Sequence, residues 1–160
     1  MIWRLSDKYD PAAVQLADRH YSRQKPGTPQ FLRPGYNLAF VSVCGRAVWA
    51  TWEGRARHAW QGAWENTIFR NEGAGLSSEL IVQALAATVA AWGEPPSLGI
   101  VTFIDVDAVR SKKDPGFCYR VVGFEPVGWT LERGYLVLQL APERFPDPDE
   151  ALWTPRELAA

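Results

Sequence analysis

Apolar positions along the chain recur at two spacings. Alternating or continuous apolar stretches are typical of strands and predict seven of them, at residues 1–5, 36–43, 46–51, 64–69, 98–104, 124–130 and 135–140. Helical spacing predicts helices over residues 11–20, from Ser77 or Ser78 to Trp92, and from Asp114-Pro115 to Val122. This order predicts an α/β (α+β) fold.

Residues 64–104 predict a β-α-β unit. Gly93 and Pro95-Pro96 stop the long helix, and the apolar stretch 98–104 that follows suits a strand buried on both faces. A strand that returns after a crossover helix pairs in parallel with the strand before it. We therefore expect one parallel pair in the sheet.

Three segments show neither the strand spacing nor the helix spacing. Residues 21–35 contain three prolines and two glycines, so we expect a long surface loop there. Residues 53–63 have no period and are interpreted as an inserted loop. Residues 142–160 form a proline-rich acidic tail that packs on the domain of residues 1–141 or extends from it.

The composition of the 160 residues, 47% of them hydrophobic, suits a single domain with one core. The longest apolar stretch, 80–92, is too short to span a bilayer, and no charged-then-apolar leader is visible, so we expect a soluble cytoplasmic protein without membrane contact. Cys44 and Cys118 have no second pair, and we expect both to be buried free thiols.

Charge is distributed unevenly. Residues 19–70 contain eight Lys or Arg and two Asp or Glu, whereas residues 71–160 contain seven and thirteen. A basic part beside an acidic part suits a face that meets polyanions, although the charges can also simply mix on the folded surface.

The most specific motif lies between a strand and the long helix. A glycine turn there exposes backbone N–H groups next to the positive end of a helix dipole, which suits a pyrophosphate. The motif lacks the lysine of a Walker loop and the third glycine of a dinucleotide fingerprint. The predicted cofactor-binding residues are Arg70, Asn71, Glu72, Gly73, Ala74, Gly75, Leu76 and Ser77.

The order strand, Arg-x-x-Gly-x-Gly, long helix, buried strand, short helix and then Tyr119 to Phe124 (Tyr-x-x-x-Gly-Phe) resembles the GNAT superfamily of acyl-coenzyme A-dependent N-acyltransferases. The resemblance implies one GNAT-like domain with a central mixed, mostly antiparallel sheet of about seven strands and about four helices. It also implies acetyl-coenzyme A or another acyl-coenzyme A as the cofactor, and a role for Tyr119 in protonating the departing thiolate. The alternative for Tyr119 is a core aromatic.

Acyl transfer to an amine requires a group that accepts the nitrogen's proton. Glu65, Asp105 and His20 are the candidates, because Glu65 opens the strand before the loop and Asp105 ends the buried strand, where open α/β sheets place ligands. Either carboxylate could instead be merely solvated, and His20 could merely be a charge partner at a helix end.

A narrower resemblance is carried by His20-Tyr21-Ser22, followed by a Pro/Gly-rich loop. It is similar to the phage Mom-type proteins, which have a GNAT-like fold and modify adenine in DNA, protecting phage DNA from restriction. The resemblance implies catalytic roles for His20 and Tyr21 and modification at N6 of adenine. Iron is associated with that family, but no metal-ligand spacing occurs in this sequence.

The N-terminal half agrees with double-stranded DNA as a partner. Modifying a base inside a duplex requires flipping it out, and aromatic side chains can stack on the exposed base. The candidate nucleic-acid residues are Arg19, Arg23, Lys25, Arg33, Arg55, Arg57, Trp52 and Trp60, with Phe31 and Tyr36 as further stacking residues.

Three hypotheses therefore remain. The first is a GNAT-fold enzyme that modifies DNA. The second is an ordinary N-acetyltransferase for a small amine or a protein terminus, and the third is a binding module that has lost the chemistry. A dimer is compatible with each.

Overall fold

The computed structural model describes residues 2–54, 59–109 and 114–151. Its seven strands form one sheet in the order β1-β2-β3-β4-β5-β7-β6. The strands are β1 (Trp3–Ser6), β2 (Tyr36–Ser42), β3 (Ala47–Glu53), β4 (Trp64–Asn71), β5 (Ile100–Ile104), β6 (Glu125–Trp129) and β7 (Leu136–Leu140). The helices of the described part are α1 (Pro11–Asp18), α2 (Ser77–Trp92), α3 (Phe117–Val122) and a 3-10 turn at Pro142–Arg144.

The predicted fold class is confirmed: the chain forms one mixed α/β domain around a mostly antiparallel seven-stranded sheet. The described residues contain three α-helices and one 3-10 turn where about four helices were expected. The expected parallel pair is β4 with β5, joined by the crossover helix α2.

β4 and β5 pair over only three residues each. Trp64, Glu65 and Asn66 lie opposite Ile100, Val101 and Thr102. Beyond Asn66, β4 continues to Asn71 while pairing with β3 alone. The sheet therefore opens between the carboxyl ends of its two central strands.

A β-bulge interrupts β4 at the same place. Ala50 of β3 lies opposite Ile68, whereas the next residue, Thr51, lies opposite Asn66, which leaves Thr67 as the extra residue. A bulge leaves its extra residue out of the ladder and re-aims the neighbouring side chains. In this chain it does so where β4 leaves β5.

The two faces of the sheet are covered by different helices. α2 packs on one face with a core that includes Trp3, Trp49 and Trp64, while α1 packs on the other with Val48 and Ile68. A fully buried tryptophan such as Trp49 contributes on the order of 4 kcal/mol of transfer free energy. These two layers fix the positions of the central strands.

Several element boundaries differ from the predicted ones. α1 ends at Asp18 and not at His20, because the Arg19 and His20 N–H groups turn back to Leu16 and Ala17. α2 starts as predicted, but its N-cap is Leu76, so no serine side chain caps it.

The expectation of two buried thiols is wrong for Cys44. Both cysteines are free, but Cys44 is exposed in the turn between β2 and β3, where the strands have left the core, and Cys118 is half-buried.

The start of the tail packs on the domain as far as residue 151. The Phe145 ring lies 5.9 Å from that of Trp64, and the Asp149 N–H donates to the Ala86 carbonyl (3.1 Å). Within the described residues, no helix combines the length and apolar character needed to cross a bilayer.

Candidate active site

An open cleft of about 1610 Å³ lies where β4 and β5 separate. One wall comes from the segment after α1, another from the carboxyl end of β4, and a third from α3 and the β6–β7 turn. The residues that line the cleft include His20, Tyr21, Trp60, Glu65, Asn66, Thr67, Arg70, Asn71, Ser77, Thr102, Asp105, Tyr119, Trp129 and Tyr135.

Tyr119 lies at the bottom of this cleft. Its hydroxyl donates to Asn66 Oδ1 (2.6 Å), and only 8% of the residue is exposed. Phe69 and Phe124 contact its ring edge-on, at centroid distances of 6.2 and 5.2 Å. Burial raises the pKa of Tyr119 well above its usual value, because the phenolate would lose its hydration. The residue is therefore a neutral proton donor at physiological pH.

Close packing sets the entry to α3. Gly116 precedes the helix with φ 80°, and a Cβ there would come within 2.6 Å of Leu138 and 2.7 Å of Ile104. Only glycine permits this approach, which brings α3 and Tyr119 onto the sheet.

Asn66 is the buried polar centre of the cleft. Its Nδ2 donates to the carbonyls of Ala50 (3.0 Å) and Ile68 (2.9 Å), and its Oδ1 also lies 3.4 Å from the Thr102 hydroxyl. The sequence analysis missed this residue because an asparagine inside a strand has no motif. The β-bulge beside it was equally invisible.

The side chain of Asn71 organises the glycine loop internally. Its Oδ1 accepts the N–H groups of Gly73 (3.1 Å) and Ala74 (2.9 Å), and its Nδ2 donates to the Gly75 carbonyl (2.7 Å) and to Ser77 Oγ (2.9 Å). Two of the amides predicted to bind a phosphate thus already have an acceptor. The amides of the first turn of α2 have no side-chain cap and remain the donors at this position.

An ion-pair network joins the loop to the end of α1. Arg19 donates to both oxygens of Glu72 (2.7 and 3.0 Å), and Arg70 donates to the same carboxylate (2.6 Å) and to the Arg19 carbonyl (2.8 Å). Hydrogen bonds from Arg19 and then Arg70 lower the pKa of Glu72 to about 2. Glu72 is consequently ionised at any physiological pH.

The His20-Tyr21 segment reaches the other end of the cleft. The two rings stack at 4.4 Å, and His20 Nδ1 accepts the Ser22 N–H (3.2 Å) and contacts Ser22 Oγ (2.7 Å). Because Nδ1 is an acceptor here, the neutral imidazole has its proton on Nε2.

Tyr21 lies beside Asp105, although the two residues come from distant segments of the chain. Although 45% of Tyr21 is exposed, burial of its hydroxyl raises its pKa, with the Asp105 carboxylate and Tyr135 acting in the same direction and the Asp105 backbone amide opposing them. Asp105 Oδ1 accepts the N–H groups of Asp107 (3.1 Å) and Ala108 (3.2 Å), which fixes the turn after β5.

Glu65 is buried (6% exposed) and forms an ion pair with Arg33 (2.6 Å). The Arg33 guanidinium lies 3.9 Å from the centre of the Trp52 ring. Trp52 itself is 5% exposed and donates to the Pro34 carbonyl (2.9 Å). Its ring is therefore covered in this structure and not open to a base.

The other predicted nucleic-acid residues differ in availability. Arg23 is paired with Asp18 (2.8 Å) and donates to the Thr28 carbonyl, with only 4% of its side chain exposed, so it organises the 21–35 loop. Lys25 is exposed, and Trp60 is half-buried against Phe103 (6.3 Å). Arg55 and Arg57 lie outside the described residues.

A second cleft, of about 1100 Å³, lies under the 21–35 loop and shares Arg33, Glu65 and Thr67 with the first. Among the described residues, Thr67 Oγ1 and Asn37 Oδ1 are buried atoms without a hydrogen-bond partner. The two clefts thus meet at the bulge of β4.

Comparison of the chain with protein families, with curated proteins and with solved structures gives no match. The described residues contain no group of three or more His, Cys, Asp or Glu side chains arranged to hold a metal ion, so we derive no step through iron.

Proposed function

We propose that this protein is a GNAT-like acyltransferase that moves an acyl group from an acyl-coenzyme A to a nitrogen atom. The observation that carries the proposal is the opening between β4 and β5, where one cleft is lined by the bulge, by a buried tyrosine and by Asn71 and Ser77, which flank the glycine turn. The elements around this cleft follow one another in the order on which the resemblance rests.

The coenzyme would lie with its pyrophosphate at the start of α2 and its thioester toward the bulge. The uncapped first turn of α2 offers backbone N–H groups and the positive end of a helix dipole, both of which attract phosphate. Arg70 and Arg19 add positive charge beside the turn, although Glu72 neutralises part of it.

The reaction forms a C–N bond and breaks a C–S bond. Backbone N–H groups freed from the ladder by the bulge at Thr67 suit the carbonyl oxygen of the thioester, which gains negative charge as nitrogen attacks. Tyr119 gives its proton to the departing sulfur, and a carboxylate at the cleft, Glu65 or Asp105, accepts the proton from nitrogen.

A DNA base is our first candidate for the acceptor, in line with the Mom-type resemblance. The observation that favours it is the aromatic rim of the cleft, where Tyr21, Trp60, Trp129 and Tyr135 could stack on a flipped-out base. A small amine or a protein terminus is the alternative, since Arg19, Arg23 and Arg33 are already paired with carboxylates.

Binding of acetyl-coenzyme A to Gly75 variants tests the donor site. Gly75 has φ 154°, so both Gly75→Ala and Gly75→Asp strain the loop, and a Cβ there meets only Ile2 and Leu80 at ordinary distances. The charge of the aspartate should weaken binding by at least about tenfold relative to the alanine variant, because the carboxylate repels the pyrophosphate. Equal affinities in calorimetry would contradict the proposed donor site.

Nucleoside mass spectrometry of plasmid DNA from cells that express the protein tests the acceptor. We expect a new deoxyadenosine derivative with the wild type and a strong reduction of it with Tyr119→Phe. Unmodified DNA, together with acetylation of a small amine by the same preparation, would favour the alternative acceptor.

A further inference from the structure

We infer that Asn66 is a positioning residue that holds the Tyr119 hydroxyl and the β4 bulge in one fixed arrangement. The kinetic part of this inference rests on the proposed acyltransferase function. Asn66 itself contacts neither reactant in that function, since it acts through Tyr119 and through the backbone around Thr67.

The hydrogen bonds of Asn66 fix the orientation of its amide. Both partners of Nδ2 are backbone carbonyls, those of Ala50 and Ile68, which can only accept. A flipped amide would place its oxygen against these two carbonyl oxygens. Oδ1 must therefore face Tyr119, whose hydroxyl must donate to it. The Thr102 hydroxyl lies 3.4 Å from both Oδ1 and the Asn66 backbone carbonyl and can donate to either.

One buried side chain thus connects four elements. Asn66 is 4% exposed and bonds to β3 at Ala50, to its own strand beyond the bulge at Ile68, to β5 at Thr102 and to α3 at Tyr119. The two carbonyls lie opposite each other across the strands, immediately beyond the extra residue Thr67. The amide therefore stabilises the irregular backbone where ladder bonds are missing.

The bond to Tyr119 also defines the direction of its proton. This hydrogen bond is short, at 2.6 Å, and it points the hydroxyl hydrogen of Tyr119 toward Asn66 Oδ1. The lone pairs of the phenolic oxygen consequently point away from Asn66. Proton delivery to sulfur requires the hydroxyl to rotate away from Oδ1. The Thr102 hydroxyl, now at 3.4 Å, stays as the donor to Oδ1 when that happens.

A double-mutant cycle tests the inference. Asn66→Ala and Tyr119→Phe should each lower kcat by roughly 100-fold, since a general acid contributes on that scale, with little change in KM for acetyl-coenzyme A. When Asn66→Ala is added to Tyr119→Phe, kcat should fall by less than about threefold further, because the hydroxyl that Asn66 positions is already absent. Rate losses that simply multiply would overturn the inference.

Thr88→Val is the matched control, because it also removes a buried hydrogen-bonding group, the hydroxyl that donates to the Ala84 carbonyl (2.7 Å), at a residue that lines neither cleft. Its kcat should stay within about threefold of wild type. A loss as large as that of Asn66→Ala would mean that a general loosening of the core, and not the positioning of Tyr119, determines the rate.

A measurement on the wild-type chain keeps the inference testable if Asn66→Ala fails to fold or if no acyl transfer is found. The Tyr119 hydroxyl proton should give a slowly exchanging NMR signal, assigned by its loss in Tyr119→Phe, with a contact to the Asn66 amide. A rapidly exchanging hydroxyl would contradict the geometry, whereas a protected hydroxyl without turnover would count against the acyltransferase proposal alone.

Discussion

At the scale of single residues, most polar groups of the cleft named here already have hydrogen-bond partners within the described part of the protein, and one has none there. Glu72, Asn71 and Asn66 each accept two or more hydrogen bonds from the protein itself. The buried hydroxyl of Thr67 has no partner among the described residues. Satisfied groups stabilise the fold, while an unsatisfied one costs stability and is common where a ligand is to bind.

Replacing Thr67 by valine should therefore stabilise the free protein. The change removes a buried hydroxyl that makes no bond and keeps the shape, so the free energy of unfolding should rise by about 1 kcal/mol. Urea denaturation measures it. Thr51→Val is the control, because Thr51 Oγ1 accepts the Trp49 indole N–H (2.8 Å), and its loss should be destabilising. Destabilisation by both substitutions would show that the Thr67 hydroxyl is bonded.

Glu72→Gln should strengthen the binding of acetyl-coenzyme A and weaken the fold at neutral pH. The glutamine removes a negative charge beside the phosphate site and leaves Arg19 and Arg70 freer to contact phosphate. Calorimetry should show a Kd lower by roughly threefold or more. An unchanged or higher Kd would contradict a phosphate site at this turn.

The stability contribution of Glu72 has a defined pH dependence. Its pKa in the folded protein, about 2, lies below the ordinary value near 4.3, so the ion pairs stabilise the fold fully above about pH 4.3 and lose this effect as the pH falls toward 2. The difference in unfolding free energy between wild type and Glu72→Gln should accordingly shrink between pH 5 and pH 2, roughly the window set by these two pKa values. Urea denaturation across that range measures it.

At the scale of elements, the proposed function depends on how β4 ends. The strand leaves β5 after Asn66, bulges at Thr67 and continues into a turn that Asn71 folds around its own side chain. α2 then starts without a side-chain cap. The proposed donor site is thus an irregular strand end followed by a turn with internal hydrogen bonds.

Asn71→Ala should loosen this turn without unfolding α2. The amides of Gly73 and Ala74 lose their acceptor, so their hydrogen exchange should accelerate, while that of Leu85 in the middle of α2 stays unchanged. The coenzyme must then order the loosened turn when it binds, which costs conformational entropy. We therefore expect the affinity for acetyl-coenzyme A to fall by about tenfold. Exchange rates unaltered at both glycine-turn amides would contradict the role of Asn71.

At the scale of the whole molecule, carboxylates pair with part of the basic excess of residues 19–70 and leave Lys25 exposed. Arg19, Arg23 and Arg33 pair with Glu72, Asp18 and Glu65. Two of these acids lie outside the basic segment in sequence, at 18 and 72. These three ion pairs bring acidic and basic residues together beside the cleft, while Arg55 and Arg57 of the same basic segment lie outside the described residues.

Salt dependence of DNA binding measures how much positive charge remains available. If DNA is the acceptor, affinity for a duplex should fall with salt, and Lys25→Gln with Arg133→Gln should reduce the slope of log K against log salt by about 2, one for each lost phosphate contact. Arg144→Gln is the control, because Arg144 lines neither cleft. A slope near zero for the wild type would exclude DNA as the acceptor.

Local patterns predicted the elements well and their ends less well. Alternation and apolar runs gave all seven strands and the parallel β4–β5 pair, because burial of one or both faces leaves a direct trace in the residue order. These patterns do not predict that α1 ends at Asp18 or that Leu76 is the N-cap of α2. At such positions the helix boundary depends on competing backbone hydrogen bonds of similar energy.

The sequence by itself determined the seven strands, the crossover helix, the glycine turn and the placement of Tyr119 after a buried strand, since all of these follow from short-range spacing and backbone chemistry. The order of the strands in the sheet was decided by the tertiary structure. Tertiary structure alone decided that Asn66 meets Tyr119, that Tyr21 lies beside Asp105 and that Glu72 pairs with two arginines. The physical reason is that such contacts join distant segments, and their partners are selected by packing of the two helical layers on a twisted sheet.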